Sequence, residues 1–445
     1  MAIATLILFT AILIGFLYLL QHYLSKLHLY NTIKDLPGPK ALPLVGNALM
    51  FTGEVAEICS KIITMADVYP SLSRLWLGSR LLIFIYDPEN MKAVLNSPSG
   101  IYKSEDYNYM KPFIGEGVFS CAGSKWRAQR KTLSPAFNLN SMKSFMDSFV
   151  RHTNIFIQRL ETTNGKEIEI SKYIGPCALD IIYDTTLETE LNAQAEQECK
   201  ICDSMKNMLE SFTRRIFKVW LHPNIIYYNT TAGKKEQKCL DYINILTNKI
   251  IKKKKMEMEA NPVQESVQEN EGEKKSPKTY LDLAMELAKS GGKVSETVLR
   301  DEINTMTIAG SDTTAGTVSF LLLMLANHPE IQNKAYQELH EIYGTSDPED
   351  VHMQYDDLQR MEYLDRVIKE TMRLFPVAPM IIRKVIEDIK GMKYAIAEMK
   401  AIAATVIRKF IIMVDKPLPV EEIDLKIYVA LKPVKPIMLR FKKRH

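Results

Sequence analysis

No charged side chain occurs between Ala2 and Gln21 (AIATLILFTAILIGFLYLLQ), which constrains this chain more than any other feature. As a helix its roughly nineteen apolar or near-apolar residues would rise about 29 Å, one hydrocarbon thickness. The stretch is longer than the core of a signal peptide. It has no Lys or Arg ahead of it and no small-residue cleavage site behind it, so an uncleaved anchor is expected. Lys26, Lys34 and Lys40 follow, opposed only by Asp35, which puts the rest of the chain in the cytosol by the positive-inside rule. Next come Leu36-Pro37-Gly38-Pro39 and Pro43. Proline fixes its own backbone angle and restricts the residue before it, so a stiff hinge is expected here. The predicted organisation is an anchor over 2–21, a linker with a Pro-rich hinge over 22–43, and a folded body over 44–445. The sequon Asn229-Thr230-Thr231 should then stay unmodified, because glycosylation occurs on the other side of the membrane.

That body is an ordinary globular one. Hydrophobic residues make up 46% and charged residues 25%, enough for a large core. The 57 Lys and Arg exceed the 53 Asp and Glu by only four, too small a surplus to argue for nucleic acid as a partner. Six cysteines are too few for a disulfide scaffold and suit a reducing compartment. Residues 74–86 read as two short strands turning at Gly78-Ser79, and apolar residues recur at helical spacing from about 140 to 255. The span 252–280 opens on Lys252–Lys255 and continues through QESVQENEGEKKSPK, a charged surface loop in which the lysines form a solvated helix end. Val294–Leu325 is one long helical pattern, and Pro329 opens another helix through about Tyr343.

Three segments carry unusual chemistry. Ala309-Gly310-Ser311-Asp312-Thr313-Thr314 places poor helix formers mid-helix, which should bend the helix or open a groove where a ligand meets the backbone. Asp312 beside the Thr313 hydroxyl is either a proton relay or a polar kink facing water. In Glu370-Thr371-Met372-Arg373, Glu370 and Arg373 share a helix face and can pair. Such pairs are commonly exposed, but the apolar flanks VIKETMRLFPVAP hint at burial. Trp126-Arg127-Ala128-Gln129-Arg130 places an indole N–H and a guanidinium one turn apart, either gripping an anion such as a carboxylate or showing a basic face to solvent.

In this order, the anchor, LPGPKALPLVGN, WRAQR, AGSDTT and ETMR closely resemble a microsomal cytochrome P450, a haem-thiolate monooxygenase. WRAQRKTLSPAF, AGSDTTAG and ETMRLFPVAP are most similar to the family-four clan, which includes fatty-acid hydroxylases and many insect enzymes. The resemblance covers residues 1 to about 383 and resumes at Gly391. It implies a mainly α fold with small β-sheets and one N-terminal transmembrane helix in the endoplasmic reticulum membrane. It implies electrons from NADPH-cytochrome P450 reductase, with cytochrome b5 as a further partner. The reaction would hydroxylate a hydrophobic substrate such as a fatty acid, hormone or xenobiotic. By the same resemblance Trp126 and Arg130 bind one haem propionate and Arg383 the region of the other. Ala309 and Gly310 let haem lie against the helix, Asp312 and Thr313 deliver protons during oxygen activation, and Glu370 with Arg373 forms a structural ion pair. Clan members often carry Glu where Ala309 stands and ester-link it to haem; Ala309 cannot, so haem would be non-covalent.

The resemblance breaks at the iron ligand. The family needs a Cys in a Phe-x-x-Gly-x-Arg-x-Cys-x-Gly loop after the Glu-x-x-Arg helix, because the thiolate pushes electron density onto iron. Here the cysteines are Cys59, Cys121, Cys177, Cys199, Cys202 and Cys239, with none beyond. ETMRLFPVAPMIIRKVIEDIK runs directly into GMKYAIAEMKAI, which resembles the helix that starts just after the ligand Cys. A segment therefore looks deleted at about 384–391, as a skipped exon or a gene-model error would leave it. Cys121 in FSCAGSKW has no Gly-x-Arg context. Cys199 and Cys202 form a single CxxC without a second pair, read as inert thiols rather than zinc ligands. The only His after residue 352 is His445. No axial ligand is assigned. Loss of activity is expected, and the rival class is a membrane-anchored pseudo-enzyme that binds lipid or a partner protein.

Overall fold

The computed structural model describes residues 33–95, 102–260, 278–290, 293–345, 352–384, 405–427 and 431–443, with single residues of the segment 5–31. Three sequence expectations lie outside these residues: the junction at about 384–391, the segment GMKYAIAEMKAI, and His445. The chain divides into two units, one of residues 1–52 with 61–92 and the other of residues 53–60 with 93–445.

In the smaller unit, strand β1 (Leu72–Leu77) pairs antiparallel with β2 (Arg80–Ile85), turning at Gly78-Ser79 as the sequence predicts. The Pro-rich segment lies along β1. The Arg74 N–H donates to the Pro37 carbonyl at 2.8 Å, and Asn47 exchanges hydrogen bonds with the Trp76 backbone at 2.6 and 3.0 Å. Gly46, at φ 59°, is needed there, since a Cβ would fall 2.5 Å from the Trp76 carbonyl oxygen. The described residues of 5–31 are helical, and Leu6, Phe9, Leu13 and Leu17 are exposed.

The larger unit is mainly helical. Its strands and principal helices, in order, are β3 (Tyr102–Lys103), α1 (Gly123–Leu133), α2 (Met146–Glu161), β4 (Ile168–Glu169), α3 (Ser171–Leu187), α4 (Lys200–Phe217) and α5 (Thr231–Ala260). Then follow α6 (Tyr280–Ala288), β5 (Lys289–Ser290), β6 (Lys293–Val294), α7 (Glu296–Asn327), α8 (Pro329–Tyr343), α9 (Glu362–Leu374) and β7 (Arg383–Lys384). The last strands are β8 (Phe410–Met413), β9 (Leu425–Ile427), β10 (Leu431–Pro433) and β11 (Met438–Lys443). β11 lies between β4 and β8, β9 pairs with β10, and β3 pairs with β7 so that Lys103 stands opposite Arg383.

Helix α7 is the axis of this unit. It starts two residues later than its sequence pattern, because Ser295 caps it by accepting from the Val298 N–H and Val294 belongs to β6. Leu299, Ile303, Val318, Leu321, Leu322 and Leu325 are all buried, so apolar side chains face the core on nearly every side. Among the described residues α7 is the one helix long and apolar enough to cross a membrane, yet it is buried inside the unit. Its hydroxyls resolve the expected defect differently. Thr307, Ser311, Thr313, Thr314 and Thr317 each donate to the carbonyl four residues earlier, and the poor helix formers stay within one continuous helix. Tertiary burial overrides local propensity.

The lysine run is also corrected. α5 continues to Ala260, and Lys254 pairs with Glu188 at 2.5 Å and Asp282 at 2.6 Å while Lys255 pairs with Glu296 at 2.5 Å. Lys254 and Lys255 thus bind the end of α5 to α3, α6 and α7, while Lys252 and Lys253 stay exposed as expected. Residues 261–277 of the expected loop lie outside the described residues.

Candidate active site

The loop 113–121 leads into α1 and is sewn to α7. The Asn304 amide donates to the Phe113 carbonyl at 2.9 Å, and the Glu116 N–H donates to Asp301 Oδ2 at 2.8 Å. The Val118 N–H reaches both Glu302 oxygens at 3.1 and 3.2 Å, and Tyr280 Oη donates to Glu302 Oε2 at 2.7 Å. Gly117 allows this approach, since a Cβ there would lie 2.8 Å from the Asp301 carbonyl oxygen. Burial pushes the Glu302 carboxyl up to about 7 against the opposing help of Tyr280 and Val118.

Helix α1 then presents Trp126 and Arg130, both half-buried, one turn apart as predicted. Gly123 at its start, φ 61°, sits against β3, where a Cβ would meet Tyr102 Cε1 at 3.2 Å. Across the β3–β7 pair, Lys103 faces Arg383. Lys103 Nζ lies 5.2 Å from the ring centroids of Tyr107 and Phe119. Burial and then the neighbouring Arg383 charge push Lys103 down to about 8. Arg383 Nη1 donates to the Ile382 carbonyl at 3.2 Å, while its Nε is buried with no hydrogen-bond partner among the described residues. Two adjacent cations form no ion pair with a described carboxylate, an arrangement that an anionic group between them would relieve. Lys103 and Tyr107 were not legible in the sequence. A lone lysine in YKSEDYNY carries no local signal, and strand pairing alone brings it to Arg383.

The α7 residues diverge. Ala309 is exposed, and Thr313 Oγ1 donates to its carbonyl at 2.6 Å. Gly310 is buried against α3, and a Cβ there would lie 2.3 Å from Ile182 Cδ1. Asp312 turns toward β10, where Oδ1 pairs with Lys432 Nζ at 2.5 Å. No hydrogen bond joins Asp312 to Thr313 among those of the described residues. Glu370 and Arg373 do form the expected bidentate pair, at 2.7 and 2.8 Å, but their side chains are 57% and 68% exposed, contrary to the burial their flanks suggested.

A cleft of about 710 Å³ opens between the starts of α3 and α4, α7, and the β9–β10 hairpin. Asp312, Gly316, Lys206 and Lys432 line it, with Cys199 and Cys202. Those two cysteines are joined by a disulfide, which corrects their reading as inert thiols.

The residues fit haem at one end only. Trp126, Arg130, Lys103 and Arg383 offer donors suited to propionate carboxylates. At the iron end no thiolate is available among the described residues. Cys121 is buried and its thiol donates to Gln129 Oε1 at 2.6 Å; burial, with Glu302 nearby, pushes it up to about 12, so it is a thiol and not a thiolate. Among the described residues no group of three or more His, Cys, Asp and Glu side chains could hold a metal ion.

Comparison with known proteins agrees with the motifs. The family profile of cytochrome P450 matches residues 36–398. The chain is 32% identical over 387 residues to cytochrome P450 4V2 of Homo sapiens, spanning 85% of this chain and 73% of that protein. It is 30% identical over 416 residues to cytochrome P450 4c3 of Drosophila melanogaster (89% and 76%) and 30% identical over 366 residues to cytochrome P450 4c21 of Blattella germanica (82% and 72%). A family match over residues 36–398, together with these relatives and the mainly helical body, makes this chain a member of the cytochrome P450 family, in its family 4, whose enzymes are haem-dependent oxidoreductases of the monooxygenase type.

Proposed function

We propose that this chain is a membrane-anchored family-4 cytochrome P450 deprived of its haem-thiolate loop, and that it does not catalyse oxygenation as it stands. When bound, haem in this family activates dioxygen, so that one oxygen atom enters a hydrophobic substrate and the other becomes water. The observation that carries the reading is the thiol inventory. No cysteine follows Cys239, and Cys121, next to the propionate-type helix, is a buried thiol engaged with Gln129. Trp126, Arg130, Lys103 and Arg383 would hold the propionates. Thr313 and Asp312 are proposed as the proton-handling groups, with Ala309 leaving room beside them and Asp312 held by Lys432. The Glu370–Arg373 pair is proposed as structural, its exposed face being the surface the deleted segment would cover. That leaves a lipid- or partner-binding pseudo-enzyme in the endoplasmic reticulum membrane, with exposed Leu6, Phe9, Leu13 and Leu17 supporting the anchor. Fatty acids, hormones or xenobiotics are the proposed ligand class, and the reductase and cytochrome b5 the proposed partners.

The test is haem stoichiometry and the carbon monoxide difference spectrum of the purified full chain. Substoichiometric haem without the thiolate-type band is expected, with no hydroxylation when reductase and NADPH are supplied. A stoichiometric complex showing that band would mean that another residue, such as Cys121, ligates iron, and would overturn the proposal.

A further inference from the structure

We propose that Cys199 and Cys202 are a reversible thiol–disulfide site that exchanges with small disulfides of the glutathione type. The pair is built at the start of a long helix: α4 has 18 residues, Cys199 is its N-cap and Cys202 its third residue. No side chain caps this end, so its first N–H groups and the helix dipole are available to stabilise a thiolate. The Cα atoms are 5.3 Å apart, within bridging range without backbone movement, and the bond is formed. Both residues are half-exposed and line the cleft of about 710 Å³, so a tripeptide thiol can reach them. An accessible disulfide of this kind is the labile sort, in contrast to buried structural ones. The other cysteines differ. Cys59, Cys121 and Cys177 are buried, and Cys239 stands in α5 outside any disulfide.

In the oxidising direction the Cys199 thiolate attacks one sulfur of glutathione disulfide, forming a mixed disulfide and releasing one glutathione thiolate. The Cys202 thiolate then attacks the Cys199 sulfur and releases the second. Two protein thiols lose two electrons and two protons, and glutathione disulfide becomes two thiols. Reduced glutathione runs the sequence backwards. Closure ties the N-cap to the third residue of α4, one wall of the cleft that holds Asp312.

The native full chain is equilibrated in glutathione buffers of stepped reduced-to-oxidised ratio, quenched with a maleimide, unfolded, and its labelled cysteines are mapped by mass spectrometry. Cys199 and Cys202 should pass together from unlabelled to labelled through one two-electron transition, while Cys59, Cys121, Cys177 and Cys239 keep ratio-independent labelling. Cys202→Ser should stop at a glutathione adduct on Cys199. Cys199→Ser, which puts a good N-cap residue at that position, should lose the disulfide and remain folded. Labelling of Cys199 and Cys202 that does not change with the ratio, or no more adduct on Cys199 in Cys202→Ser than on Cys239, would overturn the site.

Discussion

Replacing Glu302 by Gln tests the contact that ties the loop before α1 to the central helix. The Glu302 side chain is fully buried and accepts from Tyr280 Oη and the Val118 N–H. Burial raises it from 4.5 to about 7, with Asp301 adding to the rise. The folded state therefore holds a proton over this window that the unfolded chain has released. Stability falls as pH rises from about 4.5 to about 7 and is level above that. At about 1.4 kcal/mol per pH unit, the loss attributable to this group is about 3 kcal/mol. Gln keeps the volume, and its amide can still accept from Val118 and donate to Tyr280 Oη, so no polar group is stranded. Denaturant unfolding of the detergent-solubilised chain is measured at steps from pH 4.5 to 8. The wild type minus Glu302→Gln difference should change by about 3 kcal/mol across that range and then flatten. Comparing the two cancels the contributions of acids that do not interact with Glu302. Parallel curves for the two proteins would refute the reasoning and would mean that Glu302 is ionised or solvated in the folded state.

Gly117→Ala should destabilise the chain by about 1–3 kcal/mol, because its Cβ meets the Asp301 carbonyl oxygen of α7, backbone that cannot swing away; thermal or denaturant unfolding reads this, and an unchanged midpoint would deny the close approach. Glu370→Ala should leave the unfolding midpoint where it is, since the pair with Arg373 is solvent-exposed; a large loss would show that this face is covered. Asn229→Gln should not alter the gel mobility of the chain expressed in microsomes, and a glycosidase-sensitive shift lost in that variant would place the body on the lumenal side.

Local pattern carried much of this protein. The β1–β2 hairpin, α7 within two residues at each end, and α8 from Pro329 to Tyr343 were readable because apolar periodicity, Gly-Ser turn residues and a helix-opening proline are short-range signals. The family was legible for a related reason: WRAQR, AGSDTT and ETMR keep their chemistry in contiguous residues, and the want of a cysteine beyond Cys239 is a property of the sequence alone. Other features depended on residues far apart in the chain. Lys103 meets Arg383 only through the β3–β7 pair, and Asp312 is taken by Lys432 only because β10 passes α7. Gly310 packs against Ile182 because the rotation of a buried helix is decided by what packs around it. The exposure of Glu370 and Arg373, and the lysine pairs at the end of α5, have the same origin. A sequence states which side chains exist and how they repeat along the chain, but burial and charge pairing are sums over neighbours in space, and those neighbours are assembled only by the fold.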